Sequence, residues 1–233
     1  FKESKKILIS GVHKSATSSL HLNLSRHSLI KSGSKKEIGH YAPIRYNKKI
    51  NSYDIYKNFF TYSDSYNGYF IDSSPSYFYG GKKAALLIKQ ENPNSKIILS
   101  LRDPSFRLLS IYNASKNDYR LNQDLSCKDF INKAYNLRHD LYSENIVSRS
   151  FYEGCYANYL QDWIDVFGND LKIILFDEIT TKPSNVLIEI FDWLGLEEDK
   201  NIIQEFITTN KTLIHKNKYL YRFANFINNR NES

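Results

Sequence analysis

The chain has only two cysteines, Cys127 and Cys155, among its 233 residues. Two thiols exclude a disulfide framework, and no His/Cys spacing that would hold zinc accompanies them. Both are therefore expected as packed, inert thiols. Methionine is absent altogether. No run of about 18 apolar residues occurs, which excludes a membrane-spanning helix within the sequence. No signal peptide opens it; because the first residue is Phe1 rather than Met, a preceding segment stays open. Internal repeats, linkers and low-complexity blocks are also missing, so a single domain over residues 1–233 is expected.

What is present describes a folded chain. Hydrophobic residues make up 41% and charged residues an ordinary 24%, a balance that excludes wholesale disorder. The formal net charge of +7 favours anionic partners, whether phosphates, sulfated or carboxylated glycans, nucleic acid or anionic lipid. Four glycosylation sequons, at Asn23, Asn113, Asn210 and Asn231, are what chance yields in an Asn-rich chain.

Short apolar runs alternate with amphipathic stretches. KKILISG at 5–11 reads as a buried strand closed by a turn, and residues 16–26 as a helix with Leu20 and Leu24 on one face. Residues 31–49 hold Lys31, Lys35, Lys36, Arg45, Lys48 and Lys49 around one acid, Glu37, and show no period, so they read as loop. A short helix is expected over 52–60, a strand over 69–72, a helix over 80–90 and a third strand over 96–101. Asp103-Pro104 caps and starts a helix over about 104–117. Further helices are expected over 126–142, over 149–167 as one long amphipathic helix, and over 184–194, 199–208 and 217–229; 171–176 reads as a fourth buried strand. Such alternation predicts an α/β fold of three layers, α/β/α, on a central parallel sheet. Ligands of such sheets bind beyond the carboxyl ends of the strands.

The first strand leads into GVHKSATSSL, residues 11–20. Small side chains at Ser15, Ala16, Ser18 and Ser19 let backbone amides approach a ligand, Thr17 and Ser18 add hydroxyls, and Lys14 adds a full charge. The helix start adds free N–H groups and a positive dipole end. His13 to Ser19 thus form a P-loop-like anion cradle in a strand–loop–helix. It is not a Walker A loop, because GKS or GKT is missing. The alternative is a tight strand-to-helix turn with a capping Ser or Thr.

The third strand leads into IILSLRDPSFRLLSIY, residues 97–112. Arg102 stands at the strand end and Ser110 two helical turns past the cap, so a guanidinium and a hydroxyl can converge on one phosphate.

Together the two stretches resemble the nucleotide motifs of the sulfotransferases that use 3′-phosphoadenosine-5′-phosphosulfate (PAPS), most of all the heparan sulfate (Golgi-type) and bacterial glycan branch. That branch carries a loop like GVRKGGTTAL, whose two glycines are Ser15 and Ala16 here, and the pattern RDPxxRxxSxY, matched here at every fixed position. Lys36-Glu37-Ile38 resembles the family's KEIHFF. Asp72-Ser73-Ser74-Pro75-Ser76-Tyr77-Phe78 resembles EKTPAYF, with Ser73 in place of the Lys. Residues 152–167, 173–179 and 190–196 resemble its second half.

The resemblance implies a PAPS-dependent enzyme that uses no metal and releases 3′-phosphoadenosine-5′-phosphate (PAP). It implies that His13, Lys14, Ser15, Ala16, Thr17, Ser18 and Ser19 hold the 5′-phosphosulfate, and that Arg102 and Ser110 hold the 3′-phosphate. Lys216 and Lys218 fall where the family has a loop that closes over the nucleotide. Lys14 is the implied catalytic cation, and Glu37 the base with His40 as fallback; Glu37, Asp72, Ser73 and Tyr77 fall where acceptors bind. The expected acceptor is an acidic or neutral glycan or a small molecule, not nucleic acid. A catalytically silent PAP- or polyanion-binding homologue and a nucleotide-dependent kinase are the alternatives. With no targeting signal in view the cytoplasm is the default compartment, and the Golgi lumen the alternative if an anchor preceded Phe1.

Overall fold

β1 (Lys5–Gly11) is a strand because every residue from Lys6 to Gly11 is buried, with side chains leaving it alternately on two faces. The computed structural model describes residues 5–61 and 66–209. α1 (Thr17–Leu24), β2 (Ile30–Ser32), α2 (Tyr53–Lys57), β3 (Tyr69–Asp72), α3 (Gly81–Glu91) and β4 (Ser95–Leu101) follow in order. Then come α4 (Pro104–Asn117), α5 (Cys127–Asn136), α6 (Ile146–Tyr152), α7 (Ala157–Phe167) and β5 (Leu171–Leu175). α8 (Phe176–Thr181), α9 (Pro183–Leu194) and α10 (Lys200–Gln204) complete the described chain. The five strands pair in the order β2-β3-β1-β4-β5, all parallel.

Alternation along the strands builds two cores, which makes the fold a three-layer α/β/α sandwich. Ile7, Ile9, Ile71 and Ile98 meet Leu20 and Leu24 of α1 and Leu187, Ile190 and Phe191 of α9. Leu8, Phe70, Ile97 and Leu99 meet Ala84 and Ile88 of α3, Tyr159 and Trp163 of α7, and an aromatic layer of Tyr41, Tyr56, Tyr77 and Phe78.

Several local expectations shift. Within 31–49 the structure has a strand end and a 3-10 turn, Ala42–Tyr46; β2 is too short for its period to register in sequence. β5 is an edge strand, with Ile173 and Leu175 40% and 52% exposed, rather than a buried one, and Phe176 already begins α8. The helix after Ser126 stops at Asn136. Cys155 is exposed and Cys127 half-buried, so neither is a packed thiol. The helix expected over 217–229 lies outside the described residues.

The single helix expected over 149–167 is two, broken at residues 153–156. A buried charge cluster sits at the break. Glu153 ends α6 and is 3% exposed, with Arg45, Arg107 and Arg149 all paired to its carboxylate. Arg107 is completely buried and donates to the Ser150 carbonyl at 2.6 Å; Arg149 donates to the Tyr46 hydroxyl at 2.5 Å. The chain then turns at Gly154, where a Cβ would lie 3.1 Å from the Phe151 carbonyl.

A buried charge that loses its partner is costly, about 3–5 kcal/mol. Glu153→Gln is therefore expected to lower unfolding free energy by about that much, read by urea denaturation. A loss below about 1 kcal/mol would mean that the three guanidiniums do not depend on this carboxylate.

Candidate active site

β1 and β4 are neighbours in the middle of the sheet and run the same way, so both candidate loops leave the sheet at one edge. Gly11 closes β1 because a Cβ there would stand 2.8 Å from the Cβ of Phe78. The chain then coils through Lys14 at φ 69° and Ala16 at φ 60°, left-handed conformations that favour glycine. Ala16 is the N-cap of α1, and no side chain caps the helix. The first-turn amides of Thr17, Ser18 and Ser19 thus lack intrahelical acceptors, on residues that line a cleft.

Polar ties hold the two loops together. Arg102 donates to the Lys14 carbonyl at 3.1 Å, and Ser100 donates to the Ser15 carbonyl at 2.5 Å. The Arg102 guanidinium lies 4.2 Å from the centre of the Phe176 ring, and its carbonyl accepts from the Tyr156 hydroxyl at 2.8 Å. Asp103 caps α4 by accepting from the Ser105 and Phe106 amides at 2.8 and 3.1 Å. Ser110, two turns into that helix, reaches the same cleft; Arg107 does not.

The cleft has a volume of about 630 Å³. All the predicted loop residues, His13 to Ser19, line it, with Glu37, Arg102 and Ser110. Ser15 presents a buried hydroxyl with no partner among the described residues. The Ser19 hydroxyl is engaged instead, accepting from the Thr209 amide at 3.0 Å. Desolvation draws the Lys14 ammonium below its usual lysine value; Asp118 opposes this, and Arg120 and Arg102 add to it.

Further lining residues escaped sequence reasoning. Phe176, Ile179 and Thr180 come from α8; Phe206, Thr208 and Thr209 come from the segment after α10. Phe176 was discoverable, since it follows the carboxyl end of a strand, where such sheets bind ligands. The later segment is clamped by Asn23, which donates to the Ile207 carbonyl and accepts from its amide, both at 2.9 Å. No local signal announces that long-range pairing. Lys216 and Lys218 lie outside the described residues.

Glu37 stands exposed on the cleft, ion-paired with Lys36 at 2.8 Å. Its loop is fastened to the end of β3. The Ser73 amide donates to the Lys36 carbonyl at 3.0 Å, and the Gly39 amide donates to Ser74 Oγ at 3.0 Å. Ser74 Oγ in turn donates to Asp72 at 2.6 Å, and the Ile38 amide donates to the same carboxylate. Tyr77 and Tyr56 complete the shell at 2.7 and 3.2 Å. Burial nevertheless pushes the Asp72 carboxyl up to about 6, against these hydrogen bonds.

Three residues expected at the acceptor, Asp72, Ser73 and Tyr77, are fully buried and do not line the cleft; they are the wall behind it. Ser73 bonds His21 at 2.8 Å. His40 is likewise displaced from the expected site. It is buried between Tyr41 and Tyr56, ring centres 4.6 and 4.8 Å away, and desolvation lowers it to about 4.

The sulfotransferase domain model matches residues 4–226. The mouse bifunctional heparan sulfate N-deacetylase/N-sulfotransferase 3 is 28% identical over 212 residues, 84% of this chain and 23% of that protein. The Xenopus laevis N-deacetylase/N-sulfotransferase 1 is 26% identical over 202 residues, 82% of this chain and 22% of that protein. The chain thus spans about a quarter of the length of these relatives. Among solved structures, a sulfotransferase from Alicyclobacillus acidocaldarius superposes with a TM-score of 0.72 at 23% identity, covering 98% of this chain and 93% of that one. The mouse sulfotransferase SULT7A1 complexed with PAP gives 0.55 at 14% identity, covering 88% and 63%.

Two outcomes follow from the site's local geometry. Ala16→Gly relieves a left-handed alanine and adds backbone entropy to the unfolded chain, for a net gain of about 0.5–1 kcal/mol. Urea denaturation checks it, and a loss of stability would contradict the left-handed turn. The second concerns Asp72. Its folded value lies above the unfolded one, 3.8, so its contribution is present at acid pH and is lost as pH rises through about 6. In Asp72→Asn that component of the pH–stability profile between pH 4 and 7 should vanish.

Proposed function

The chain belongs to the sulfotransferase domain family, and from that premise we propose that it transfers a sulfuryl group from PAPS to a hydroxyl or amine of a carbohydrate acceptor. The whole chain is read as one such domain. The observation that carries the reading is convergence: the Lys14 loop, the Arg102–Ser110 pair and the Glu37 carboxylate all line one cleft of nucleotide size.

The residues fit the donor. Uncapped first-turn amides and the unpartnered Ser15 hydroxyl suit the 5′-phosphosulfate, with Thr17 and Ser18 adding hydroxyls. Arg102 and Ser110 suit the 3′-phosphate that distinguishes PAP from an ordinary nucleotide. When bound, the donor supplies a sulfuryl group on a phosphate leaving group. Glu37 takes the proton from the acceptor as its oxygen or nitrogen bonds to sulfur. Lys14 meets the negative charge left on the phosphate oxygen when the sulfur–oxygen bond breaks. The exposure of Glu37 on the cleft supports it as the base over His40, which sits in the aromatic core.

Lys31, Lys35, Lys36, Lys48 and Lys49 flank Glu37 in sequence, all exposed except half-buried Lys36; Lys36 pairs with Glu37 and Lys48 with Glu144. Such a surface favours an acidic glycan over a neutral one. The heparan sulfate enzymes among the relatives point the same way.

Calorimetry with PAP, ATP and AMP, without added metal, tests the donor. PAP is expected to bind best, and Arg102→Ala should weaken it by roughly 10–100-fold, the value of a hydrogen bond to a charged group. Lys14→Ala should lower kcat by about 10²–10³-fold with an acidic glycan acceptor, a larger loss than the accompanying loss of PAP binding. Preference for ATP would turn the reading toward a kinase; PAP binding without turnover on any glycan would turn it toward a silent homologue.

A further inference from the structure

Lys14 is not the only polar group that the first loop offers. Its neighbour His13 also lines the cleft, and its ring is held from behind. The ring stacks on Tyr79 at 5.6 Å between centres, and the His13 amide donates to the Tyr79 hydroxyl at 3.3 Å. The Nε2 atom lies 3.4 Å from Nη1 of Arg45, a residue 7% exposed and outside the cleft lining. The Arg45 guanidinium is itself clamped, over the Tyr79 ring at 4.5 Å and onto the Glu153 carboxylate.

A guanidinium has donors and no acceptor, and it keeps its proton at any ordinary pH. The nitrogen facing it must therefore carry the lone pair, which puts the imidazole proton on Nδ1. No other protein group among the described residues bonds that atom. We propose that His13 is held by Arg45 as the neutral Nδ1–H tautomer and donates that hydrogen bond to the phosphosulfate, with Arg45 as its positioning residue. The proposal rests on the sulfotransfer reading for its ligand; the tautomer rests on geometry alone.

The surroundings keep the ring neutral. Lys14 faces it from the loop, Arg45 from the 3-10 turn Ala42–Tyr46, Arg107 from α4 and Arg149 from α6. Among the described residues Glu153 is the carboxylate ion-paired with all three guanidiniums, and the exposed Glu144 acts on Arg149 from further off. Burial first, then these cations, hold the imidazole well below its usual value. His13 therefore gives a hydrogen bond and not a proton. Its donor stays in place across the neutral range, where an ordinary histidine would change charge.

Long-range ¹⁵N NMR of histidine-labelled protein reads the tautomer directly. The expected His13 pattern is protonated Nδ1 and bare Nε2, unchanged from pH 5.5 to 8.5, with the Nδ1–H signal moving when PAP is added. An imidazolium or an Nε2–H pattern at pH 7 overturns the proposal. His13→Asn, whose amide can still present an N–H, should lose much less kcat than His13→Leu, which should lose about 10²-fold. Equal losses in the two would overturn the donor role.

Arg45→Lys, also only a donor, should preserve the Nδ1–H pattern. Arg45→Met removes the donor that faces Nε2, so the exclusive Nδ1–H pattern should be lost, Nε2–H should appear, and kcat should fall with little change in acceptor KM. An unchanged tautomer in Arg45→Met removes Arg45 from the assignment; should that variant not fold, the wild-type and Arg45→Lys spectra still decide. If PAP fails to bind while the tautomer is as stated, the sulfotransfer reading fails and the Arg45–His13 relay stands.

Discussion

The parallel pairing of β1 with β4 brings two loops, far apart in sequence, to one edge of the sheet. Leu8 pairs with Ile97 and Ile9 with Ile98, and Gly11 then pairs with Leu99 across an irregularity in the register. From that edge the Arg102 side chain can reach the Lys14 carbonyl and Ser100 can reach the Ser15 carbonyl. A slip of one residue in this pairing would turn Ser100 and Arg102 away, because strand side chains alternate faces. Everything attributed to the cleft depends on this register: uncapped α1, the guanidinium on Phe176 and the hydroxyl of Ser110.

Behind the loop lies a second layer built of charge. Arg45, Arg107 and Arg149 come from a 3-10 turn and two helices and meet one carboxylate, Glu153. A hydrophobic filling of the same space would cost less desolvation. The cluster does something that such a filling could not: it sets positive charge beside His13, at the loop proposed to receive an anion. The same cluster sits where the amphipathic stretch divides into two helices, the second of which, α7, lays Tyr159 and Trp163 on the sheet.

A third layer positions Glu37. Its loop has little regular structure, and its order comes from Asp72, which gathers Ile38, Ser74, Tyr56 and Tyr77 around one carboxylate. Through Ser74 the network extends to Gly39. The acid in this position was legible in sequence, but its task was not. It faces inward and shapes the loop that carries the exposed carboxylate.

Short-range order was written in the residues. KKILISG and KIILSL announce strands by apolar runs, Asp103-Pro104 announces a helix, and the small residues after Lys14 announce an anion cradle; each depends on neighbours within a few positions. The parallel three-layer arrangement follows from their alternation. β2 and α8 were missed because three and six residues carry no usable period. Tertiary structure alone decided which side chains reach the cleft. Asp72, Tyr77 and His40 went into the wall; Phe176 and Thr209 came onto the surface; Arg45 met His13 across 32 positions of sequence. The reason is physical: periodicity and capping say which way a residue points from its own element, whereas contact between elements is set by the packing of all of them at once.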